Sequence, residues 1–401
     1  MNILFVSAHV PSPVGRQAGL KTSYHLCEWL ARRHSLHSLC FATDDELRDC
    51  RPEDNRIFHC WDTVEVTTRS RLAGVIREWR TPISIATRSS NLFRRKLRSI
   101  VQSHQFDVAI LDHTATWQYA AELSAVPVLV GSAHDVLSQL WQRKVQQQSG
   151  ILRRSLLRME YARVQRWEKS ALGKLDVIAP HSEKDAELVR QMNPSACVCA
   201  IRAWFTFPRR VYSDPREPGS IVFLGAFDRS ENRDAVEHGI REILPLIRRE
   251  CPGFRFYIVG SHSEKMTRLA EGFNDIMVTG FVENLPRFLS RMQVALLPLR
   301  LGAGIKVKML ECMASGLAVV TTTVGAEGVG GENGVHYLVG ETAQEMANYT
   351  IRLLKDPGSA QSLGEMAREL VTAGFDFEKA IERLWSLVET RLVEPAPAVQ
   401  V

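Results

Sequence analysis

The stretch that decides the fold is KVKMLECMASGLAVVTTT, residues 306–323. Its first half places Met309, Cys312 and Met313 at helical spacing, and its second half contains the short apolar run AVVTTT. The first half therefore predicts a helix, and the second predicts a strand that is buried on both faces, as in a parallel sheet. A helix that leads into such a strand is the repeating unit of α/β folds.

The same alternation continues in both directions from this stretch. Near-continuous runs of Val, Ile and Leu predict further buried strands, with helical patterns between them. Joined by right-handed crossovers, these elements predict an α/β protein with parallel sheets. The predicted strands are NILFVSA, SLHSLCFA, DVAILDH, PVLVGSA and DVIAP in the first half, and SIVFLGA, RFYIVG, IMVTGF, VALLPL, AVVTTT and VHYLV in the second.

The alternation is interrupted once, by the polar stretch TFPRRVYSDPREPGS with its three prolines. Such a stretch between strands indicates a linker, and 401 residues are enough for two domains. We therefore predict two doubly wound domains whose strand ends face each other across a ligand-binding cleft. The predicted order is an N-terminal domain (1–205), a linker (206–219), a C-terminal domain (220–376), a C-terminal helix (377–392) that is a candidate to cross back to the N-terminal domain, and a frayed tail (393–401).

The composition is that of an ordinary globular protein, with 45% hydrophobic and 24% charged residues. No apolar run reaches the length of about 18 residues that a transmembrane helix needs. The N-terminal MNILFVSAHVPSP lacks the basic start of a signal peptide. The eight cysteines form no C-x-x-C pair, so they favour a reducing compartment over a disulfide or zinc framework. These features predict a cytoplasmic location.

Positive charge is concentrated in the first half of the chain. Residues 1–205 carry 28 basic and 20 acidic residues, whereas the remainder carries 22 and 25. The sharpest basic run, 69–98, contains nine basic residues and one acid, Glu78, and a second run is the amphipathic ILRRSLLRMEYARVQRWEKSAL. The pattern NLFRRKLRSIV suits an anionic membrane surface, but it equally fits a helix packed on a sheet with solvated arginines. Nucleic acid is disfavoured because no recognised binding motif accompanies the charge.

The glycine patterns exclude one class of enzyme. No G-x-G-x-x-G fingerprint opens either predicted domain. The segment GRQAG after the first strand has the glycines without the spacing, so a dinucleotide oxidoreductase is disfavoured.

The glycine loop and helix LGAGIKVKMLECMASG, residues 301–316, combine the features of a phosphate site. Backbone N–H groups at the helix start and the Lys308 ammonium would attract a phosphate, and Glu311 could accept two hydrogen bonds from a ribose diol. The alternative is an exposed salt bridge between Lys308 and Glu311 on a solvated face. Geometry alone leaves both interpretations open. With a helix over 305–315, one stripe carries Gly304, Lys308, Glu311 and Ser315.

The segment GAGIKVKMLECMASGLAVVTTTVGAEG resembles the donor-binding segment of retaining glycosyltransferases of the GT-B fold, specifically family four (glycosyl transferases group 1). The likeness extends over nearly the whole chain. The segments ILFVSAHVPSPVGRQAGLKTSYHLCEWLARR, VLVGSAHDV, DVIAPHSEKDAELV and VFLGAFDRSENRDAVEHGIREILPLIRRECPGFRFYIVG are similar, in order and spacing, to further elements of that family. The resemblance implies a GT-B fold of two Rossmann-like domains.

The resemblance also implies an activity: transfer of a sugar from a nucleotide-sugar, with retention of anomeric configuration and without a metal or other cofactor. It implies that Glu311 binds the ribose, that Lys308 neutralises the leaving diphosphate, and that His134 approaches the donor sugar from the N-terminal domain. Gly19, in the loop after the first strand, would let the backbone come close to the diphosphate. Further candidates are Gly304, Ile305 and Lys306 for the donor, and His9 as a lesser one.

Departures from the family pattern bear on this site. Ala303 stands where many members carry a glutamate, and Glu327 in VGAEG could replace it or simply lie on a loop surface. Ala226 stands at a usual arginine place, so other basic residues must neutralise the diphosphate. The loop AIRAWFTFP replaces the common P-N-G-V-D. The basic residues that remain for the diphosphate are Lys306, Lys308, Arg229 and Arg233.

Two alternatives stay open beside the glycosyltransferase. One is a nucleotide-sugar epimerase of the same architecture, and the other is a non-catalytic nucleotide-sugar-binding relative, which Ala303 permits. The expected partners are a nucleotide-sugar donor and an acceptor that is a lipid-linked sugar or another glycan, as in the assembly of surface polysaccharide or glycolipid. An anionic surface such as the inner membrane face is a further candidate partner.

Overall fold

The computed structural model of the protein describes residues 1–13, 18–50, 56–202 and 214–394. The chain divides into two compact units, Met1–Trp204 with Phe377–Val401, and Phe205–Asp376. Most of the predicted linker (206–219), and all but the first two residues of the predicted tail (393–401), lie outside the described residues.

The first unit is built on a parallel sheet. Within the described residues its strands are β1 Asn2–Ser7, β2 Ser35–Ala42, β3 Cys60–Glu65, β4 Val108–Asp112, β5 Val128–Ala133 and β6 Val177–Pro180. They lie in the order β3-β2-β1-β4-β5-β6, and all neighbours are parallel. The helices are α1 Ala18–Ala31, α2 Asp44–Asp49, α3 Thr68–Arg77, α4 Ile83–Ala86, α5 Asn91–Ser103, a 3-10 helix Thr114–Leu123, α6 Leu137–Gln147, α7 Ile151–Leu172 and α8 Glu183–Met192.

One strand of this sheet, β3, was not predicted. Three of the six residues in its sequence CWDTVE are polar, and Val64 is its one fully buried residue. β3 lies at the edge of the sheet and pairs with β2 alone. An edge strand tolerates polar residues that a central strand does not, so it lacks the apolar run by which the other strands are predicted.

The second unit repeats the arrangement of the first. Within the described residues its strands are β7 Ser220–Leu224, β8 Arg255–Val259, β9 Ile276–Gly280, β10 Val294–Leu297, β11 Ala318–Thr321 and β12 Leu338–Val339. Their order is β12-β11-β10-β7-β8-β9, again all parallel, which is the same doubly wound order as in the first unit. The helices are α9 Ser230–His238, which continues through a π-helical turn Gly239–Ile243 into α10 Leu244–Glu250, a 3-10 helix Ser263–Met266, α11 Thr267–Ala270, α12 Leu285–Ser290, α13 Val307–Ala314, α14 Thr323–Ala326, α15 Ala343–Lys355 and α16 Pro357–Gly374.

The last helix, α17 Phe377–Val393, belongs to the first unit. Its buried residues Ile381, Leu384 and Trp385 join the apolar core that contains Ile3 and Phe5 of β1. Alternate residues of a strand face opposite sides of the sheet, so Ile3 and Phe5 point to the face that α17 covers.

The basic helix α5 packs on protein and does not support the membrane interpretation of NLFRRKLRSIV. Phe93 and Leu97 are fully buried, which stabilises the packed helix by about 1.5–3 kcal/mol for each side chain. Arg94 and Arg98 pair with Glu122, at 2.6 Å and 3.4 Å. The alternative of a packed helix with charges on its outer side therefore describes α5.

Candidate functional site

In each unit, chemistry-bearing side chains gather where the strand order reverses. That point lies between β1 and β4 in the first unit and between β7 and β10 in the second. Connections that leave the carboxyl ends of two such strands diverge to opposite faces of the sheet, and ligands of α/β proteins bind in the crevice between them. The two crevices hold different sets of side chains.

The loop after β10 turns on two glycines. Gly302 has φ 127° and Gly304 has φ 67°, conformations that residues with a side chain rarely adopt. Helix α13 consequently begins at Val307 rather than at the predicted residue 305, with Lys306 as its N-cap residue. No side chain caps this helix end, so its first N–H groups are not satisfied by a capping group. Ile305 lies in the loop and packs, partly buried, against the core.

Lys306 is turned inward beneath the glycine loop. Its side chain is buried, and its Nζ donates to the carbonyl oxygen of Gly304 at 2.6 Å and of Ala303 at 3.4 Å. A Cβ at Gly302 would lie 3.2 Å from Cε of Lys306. The ammonium therefore holds the loop in shape and places a positive charge below it.

Lys308 bridges the two connections that border the second unit's crevice. Its Nζ donates to Oδ1 of Asn232, which lies in α9 after β7, and sits 5.2 Å from the ring centroid of Phe223. Asn232 is itself buried, and its Nδ2 donates to the carbonyl oxygen of Ala226 at 2.6 Å. A neutral amide thus fixes the ammonium at the point where the strand order reverses.

The environment lowers the pKa of Lys308 from 10.5 to about 7. Burial is the largest cause, and the positive charges of Arg229 and Lys306 add to it, against a smaller opposing effect of Glu231. An anion beside the ammonium would reverse this balance, because an opposite charge favours the protonated form. A phosphate that bound beside Lys308 would therefore be accompanied by uptake of a proton.

The two arginines near the start of α9 differ in their placement. Arg233 Nη1 donates to the carbonyl oxygens of Phe227 and Asp228, at 2.7 Å and 2.9 Å, so this side chain braces the β7–α9 connection. Arg229 is the exposed N-cap residue of α9, and its charge acts on Lys308. Of the two predicted donor-binding arginines, Arg229 is the one whose charge is felt in the crevice.

The two glutamate candidates come from neighbouring strand ends. Glu311 lies on α13 one turn after Lys308 and is half-buried. Ser315, the last residue of the predicted stripe, lies one turn after Glu311, and its Oγ donates to the carbonyl oxygen of Glu311 at 2.9 Å. Glu327 is the C-cap residue of α14, which follows β11, and β11 pairs with β10. Glu327 therefore lies at the same edge of the sheet as the loop that contains Ala303.

Asp112, the last residue of β4, is the centre of the polar cluster in the first unit. Its Oδ1 lies 2.9 Å from Nε2 of His134, and its Oδ2 accepts from Oγ of Ser7 and Ser23 at 3.0 Å and 2.7 Å. Nδ1 of His113 also lies 2.9 Å from Oδ2. Burial acts to raise the pKa of Asp112, but the two histidines outweigh it and hold that pKa well below 3.8. Asp112 is thus a buried carboxylate that stays ionised.

Histidines follow the ends of β1, β4, β5 and β6 in this unit. The rings of His113 and His134 stack with centroids 3.8 Å apart, and His181 lies 4.0 Å from His134 on a tilted ring. Burial, and then the charge of His113, lower the pKa of His134 below 6.5 against the opposing effect of Asp112. Burial likewise holds the pKa of His181 well below 6.5. At neutral pH, His134 is therefore a neutral imidazole oriented by a carboxylate.

Gly19 was predicted to lie in the loop after the first strand, but it lies in the first turn of α1. A Cβ at this position would lie 3.2 Å from Nδ1 of His134 and 3.5 Å from Nε2 of His113. The missing side chain therefore makes room for the histidine pair. Its approach to a diphosphate stays a prediction.

A pocket of about 200 Å³ opens beside the histidines of the first unit. His9 Nδ1 lies 2.6 Å from Oε1 of Glu46, and burial lowers the pKa of His9 to about 4 in spite of this partner. Because the imidazoles that line the pocket include neutral ones, the pocket suits a ligand rich in hydroxyl groups. The lining includes His9, Ile85, Arg88, His113 and His134.

Asp112, His113 and His134 are the described residues whose ligand atoms could surround a metal ion, since these atoms lie within 4.8 Å of one another. Histidine and aspartate are common ligands of zinc. Here, however, Nδ1 of His113 and Nε2 of His134 each already lie 2.9 Å from an oxygen of the Asp112 carboxylate. A carboxylate orients an imidazole in this way without a metal. Metal-independent chemistry stays a prediction.

Asp112, His113 and His181 were not predicted as site residues. DVAILDH was predicted as a strand that ends in the polar residues Asp112 and His113. The sequence alone does not show which polar residues of other strands lie beside them. Strand pairing supplies one of these, because Ser7 at the end of β1 is opposite Asp112. His113 also has φ 68° and ψ 138°, a strained conformation that often marks functional sites.

Comparisons with known proteins fit this geometry. Residues 218–356 match the family described as Glycosyl transferases group 1. Sucrose-phosphate synthase from Thermosynechococcus elongatus is similar over 98% of this chain and 99% of that one, with 17% identity and a TM-score of 0.71. Anabaena HepE, solved with UDP and glucose, is similar over 97% of this chain and 99% of that one, with 13% identity and a TM-score of 0.66.

A curated protein from Klebsiella pneumoniae, described as an uncharacterized 44.6 kDa protein in the cps region, is 20% identical over 174 residues. The match covers 41% of this chain and 45% of that protein, so it spans less than half of the relative.

Two parallel sheets of the same strand order, and structural neighbours that match over nearly the whole chain, define a protein of the GT-B class. The predicted fold is confirmed. Residues 218–356 match the model of the glycosyl transferases group 1 family, so the resemblance seen in the sequence is confirmed over this segment.

Proposed function

We propose that this chain is a retaining glycosyltransferase that transfers a sugar from a nucleotide-sugar to an acceptor without a metal ion. The observation that carries the proposal is Lys308, a lysine of lowered pKa that a neutral amide holds in the crevice of the family-matched unit. A phosphate would supply the anionic partner that Asn232 does not. The description of HepE as a complex with UDP and glucose supports a nucleotide-sugar as the donor.

The second unit would stabilise the leaving group. As the bond between sugar and phosphate breaks, negative charge grows on the diphosphate. The Lys308 ammonium and the uncapped start of α13 would stabilise this charge more in the transition state than in the ground state. The backbone at Gly304 and Ile305 would face the donor phosphates or sugar, and Glu311 would accept the ribose hydroxyls.

The first unit would supply a catalytic residue, His134. Asp112 orients this imidazole and does not itself suit the role of nucleophile, because its oxygens already accept from Ser7 and Ser23 and lie beside the histidines. Retention is therefore proposed to follow front-face attack. The acceptor oxygen bonds to the anomeric carbon as the phosphate oxygen leaves, and that phosphate oxygen takes the acceptor's proton.

The acceptor is proposed to be a lipid-linked sugar or another glycan, in the assembly of surface polysaccharide or glycolipid in the cytoplasm. The hydroxyl-binding character of the pocket beside His134 supports a sugar. The basic excess of the first 205 residues supports an anionic acceptor or an anionic surface near it.

The test has two stages. A panel of nucleotide-sugars at fixed concentration should contain one that raises the melting temperature, because a ligand that binds only the native state stabilises it. With that donor, transfer to glycan or lipid-linked acceptors should survive excess EDTA, and NMR should show a product with the anomeric configuration of the donor. Activity that EDTA abolishes and magnesium or manganese restores would contradict metal independence. Release of an epimerised free sugar without an acceptor would favour the epimerase.

A further inference from the structure

Large apolar side chains are exposed on two segments of the first unit, at α3 and at the start of α7. Monomeric proteins rarely expose a contiguous apolar patch of more than a few hundred Å² unless it binds something. The exposed fractions are 59% for Leu72, 75% for Ile76 and 67% for Trp79 on the first segment, and 86% for Ile151, 76% for Leu152, 59% for Leu156 and 65% for Met159 on the second.

Hydrogen bonds join these two segments. A guanidinium nitrogen of Arg163, on α7, donates to the carbonyl oxygens of Thr81, at 2.6 Å, and of Trp79. One turn earlier on α7, Oε1 of Glu160 accepts from the backbone N–H of Ile83 at 2.5 Å. The loop that carries Trp79 therefore lies against the middle of α7.

The apolar residues of α7 continue from this contact along one side of the helix. Leu152, Leu156 and Met159 precede Arg163 by eleven, seven and four residues, spacings that place all four on one stripe. Because Arg163 contacts the Trp79 carbonyl oxygen, the apolar stripe begins next to the backbone of Trp79, whose side chain is 67% exposed.

The charges around the two segments are mainly positive. Residues 68–80 contain four arginines and one acid, Glu78, which lies 3.8 Å from Arg77, and residues 151–159 contain no acid. Arg153 and Arg158 lie on opposite sides of the α7 stripe, whereas Arg154 lies on the opposite face of the helix. The guanidinium of Arg80 is 4.9 Å from the ring centroid of Trp79.

We propose that the exposed apolar residues of the two segments form one surface, and that this α3–α7 surface, defined as Leu72, Ile76, Trp79, Leu152, Leu156 and Met159 with Arg80, Arg153 and Arg158, docks on an anionic lipid bilayer. Apolar side chains would enter the boundary between headgroups and acyl chains, Trp79 would lie at the headgroup level, and the arginines would meet the lipid phosphates. The excess of positive charge around the surface favours this occupant over a second copy of the chain, which would bring like charges together. The surface shares no residue with the donor crevice of the second unit.

The experiment is co-sedimentation of the full chain with vesicles of phosphatidylglycerol and phosphatidylcholine, compared with vesicles of phosphatidylcholine alone. The protein should bind the anionic vesicles at low salt and less in 0.5 M salt, since salt at that level screens exposed charges beyond about 5 Å. Binding to phosphatidylcholine alone should be at least tenfold weaker. A wild-type protein that stays in the supernatant with anionic vesicles at low salt overturns the proposal.

Charge-reversal variants separate this surface from net charge. The variant R80E/R153E/R158E should lower the vesicle partition coefficient at least about a hundredfold, from three charges that each contribute about fivefold. The matched control R166E/K169E/K174E changes the net charge equally, on the exposed far end of α7 and just beyond it, and should bind far more strongly than the first variant. Equal loss in both would mean that charge alone attracts the protein, and the α3–α7 surface would be rejected.

A third variant tests the apolar part. W79A/L152Q/L156Q changes exposed side chains and keeps helix-forming residues on α7, so its melting temperature should stay near that of the wild type. Its vesicle affinity should fall more than tenfold, while its affinity for nucleoside diphosphates should not change. Unchanged vesicle binding overturns the proposal. A second result would also overturn it: the wild type does not bind vesicles but forms a concentration-dependent dimer in light scattering, and this variant abolishes the dimer. The surface would then bind a second copy of the chain.

Discussion

Raising the pH from 7 to 9 should weaken nucleoside diphosphate binding about fiftyfold, if a protonated Lys308 holds the diphosphate. The pKa of Lys308 is about 7 in the free protein, and a bound phosphate would raise it toward the ordinary value of 10.5. The protonated fraction of the free protein then falls from about a half at pH 7 to about a hundredth at pH 9. This fall costs about 2.3 kcal/mol of binding free energy.

The folding equilibrium should respond to pH in the opposite sense. A lysine whose pKa is lowered in the native state binds its proton more tightly in the unfolded chain. The contribution of Lys308 to the free energy of unfolding is therefore lowest below pH 7 and rises as the pH passes from about 7 to 10.5. Weaker binding at pH 9 would then accompany a native state that Lys308 destabilises less than at pH 7, so loss of fold would not explain it.

Isothermal titration calorimetry with UDP, GDP and ADP measures the binding affinity and the number of protons that are taken up on binding. For the tightest of the three, titrations in two buffers of different protonation enthalpy should show uptake of about half a proton at pH 7 and about 0.9 at pH 8. In Lys308→Met the affinity should be lower and nearly independent of pH. Lys265→Met, which removes an exposed lysine of the same unit, should behave as the wild type.

Two results would refute this reasoning. One is a wild-type affinity that changes less than threefold between pH 7 and pH 9. The other is a Lys308→Met variant that keeps the pH dependence of the wild type, since another group would then take up the proton.

Three further substitutions test the remaining site residues. Glu311→Ala should weaken nucleoside diphosphate binding by ~1–3 kcal/mol with little change in melting temperature, and calorimetry that finds less than a twofold effect would remove Glu311 from the ribose site. Lys306→Met should lower the free energy of unfolding in urea by about 1–3 kcal/mol, because the carbonyls of Gly304 and Ala303 lose a donor, and unchanged stability would mean that Lys306 does not brace the loop. Asp112→Asn should lower the transfer rate at least tenfold while nucleoside diphosphate affinity stays constant, and equal loss of both would show a general structural defect.

The sheets could be predicted from the sequence because their central strands are buried on both faces. Runs such as NILFVSA and SIVFLGA coincide with β1 and β7. The edge strand β3 escaped prediction because its polar residues face solvent on a strand with one neighbour. Strand order did not follow from the sequence, because pairing between β1 and β4 joins residues about a hundred positions apart.

The donor crevice was only partly predictable. The stripe of Lys308, Glu311 and Ser315 follows from helical spacing, which holds wherever the helix begins. The start of α13 depends on backbone conformation, and the positive φ of Gly304 delays it to Val307. The contact between Lys308 and Asn232 joins two different helices, α13 and α9, so the spacing along one helix cannot predict it.

The two crevices occupy equivalent places in two sheets of equal strand order, yet their electrostatics are opposite. In the second unit, Lys306 and Lys308 donate to neutral oxygens, and with Arg229 they present positive charge that an arriving anion would neutralise. In the first unit, Asp112 stays ionised beside His134, whose pKa is lowered.

A buried carboxylate next to a neutral imidazole does not attract a diphosphate. The charges therefore favour the proposed placement of the phosphates in the second unit, while the neutral imidazoles of the first unit favour hydroxyl groups. Gly19, whose missing side chain accommodates the histidines of that first crevice, is then explained by packing, and its predicted approach to a diphosphate is the less favoured part of the donor-site hypothesis.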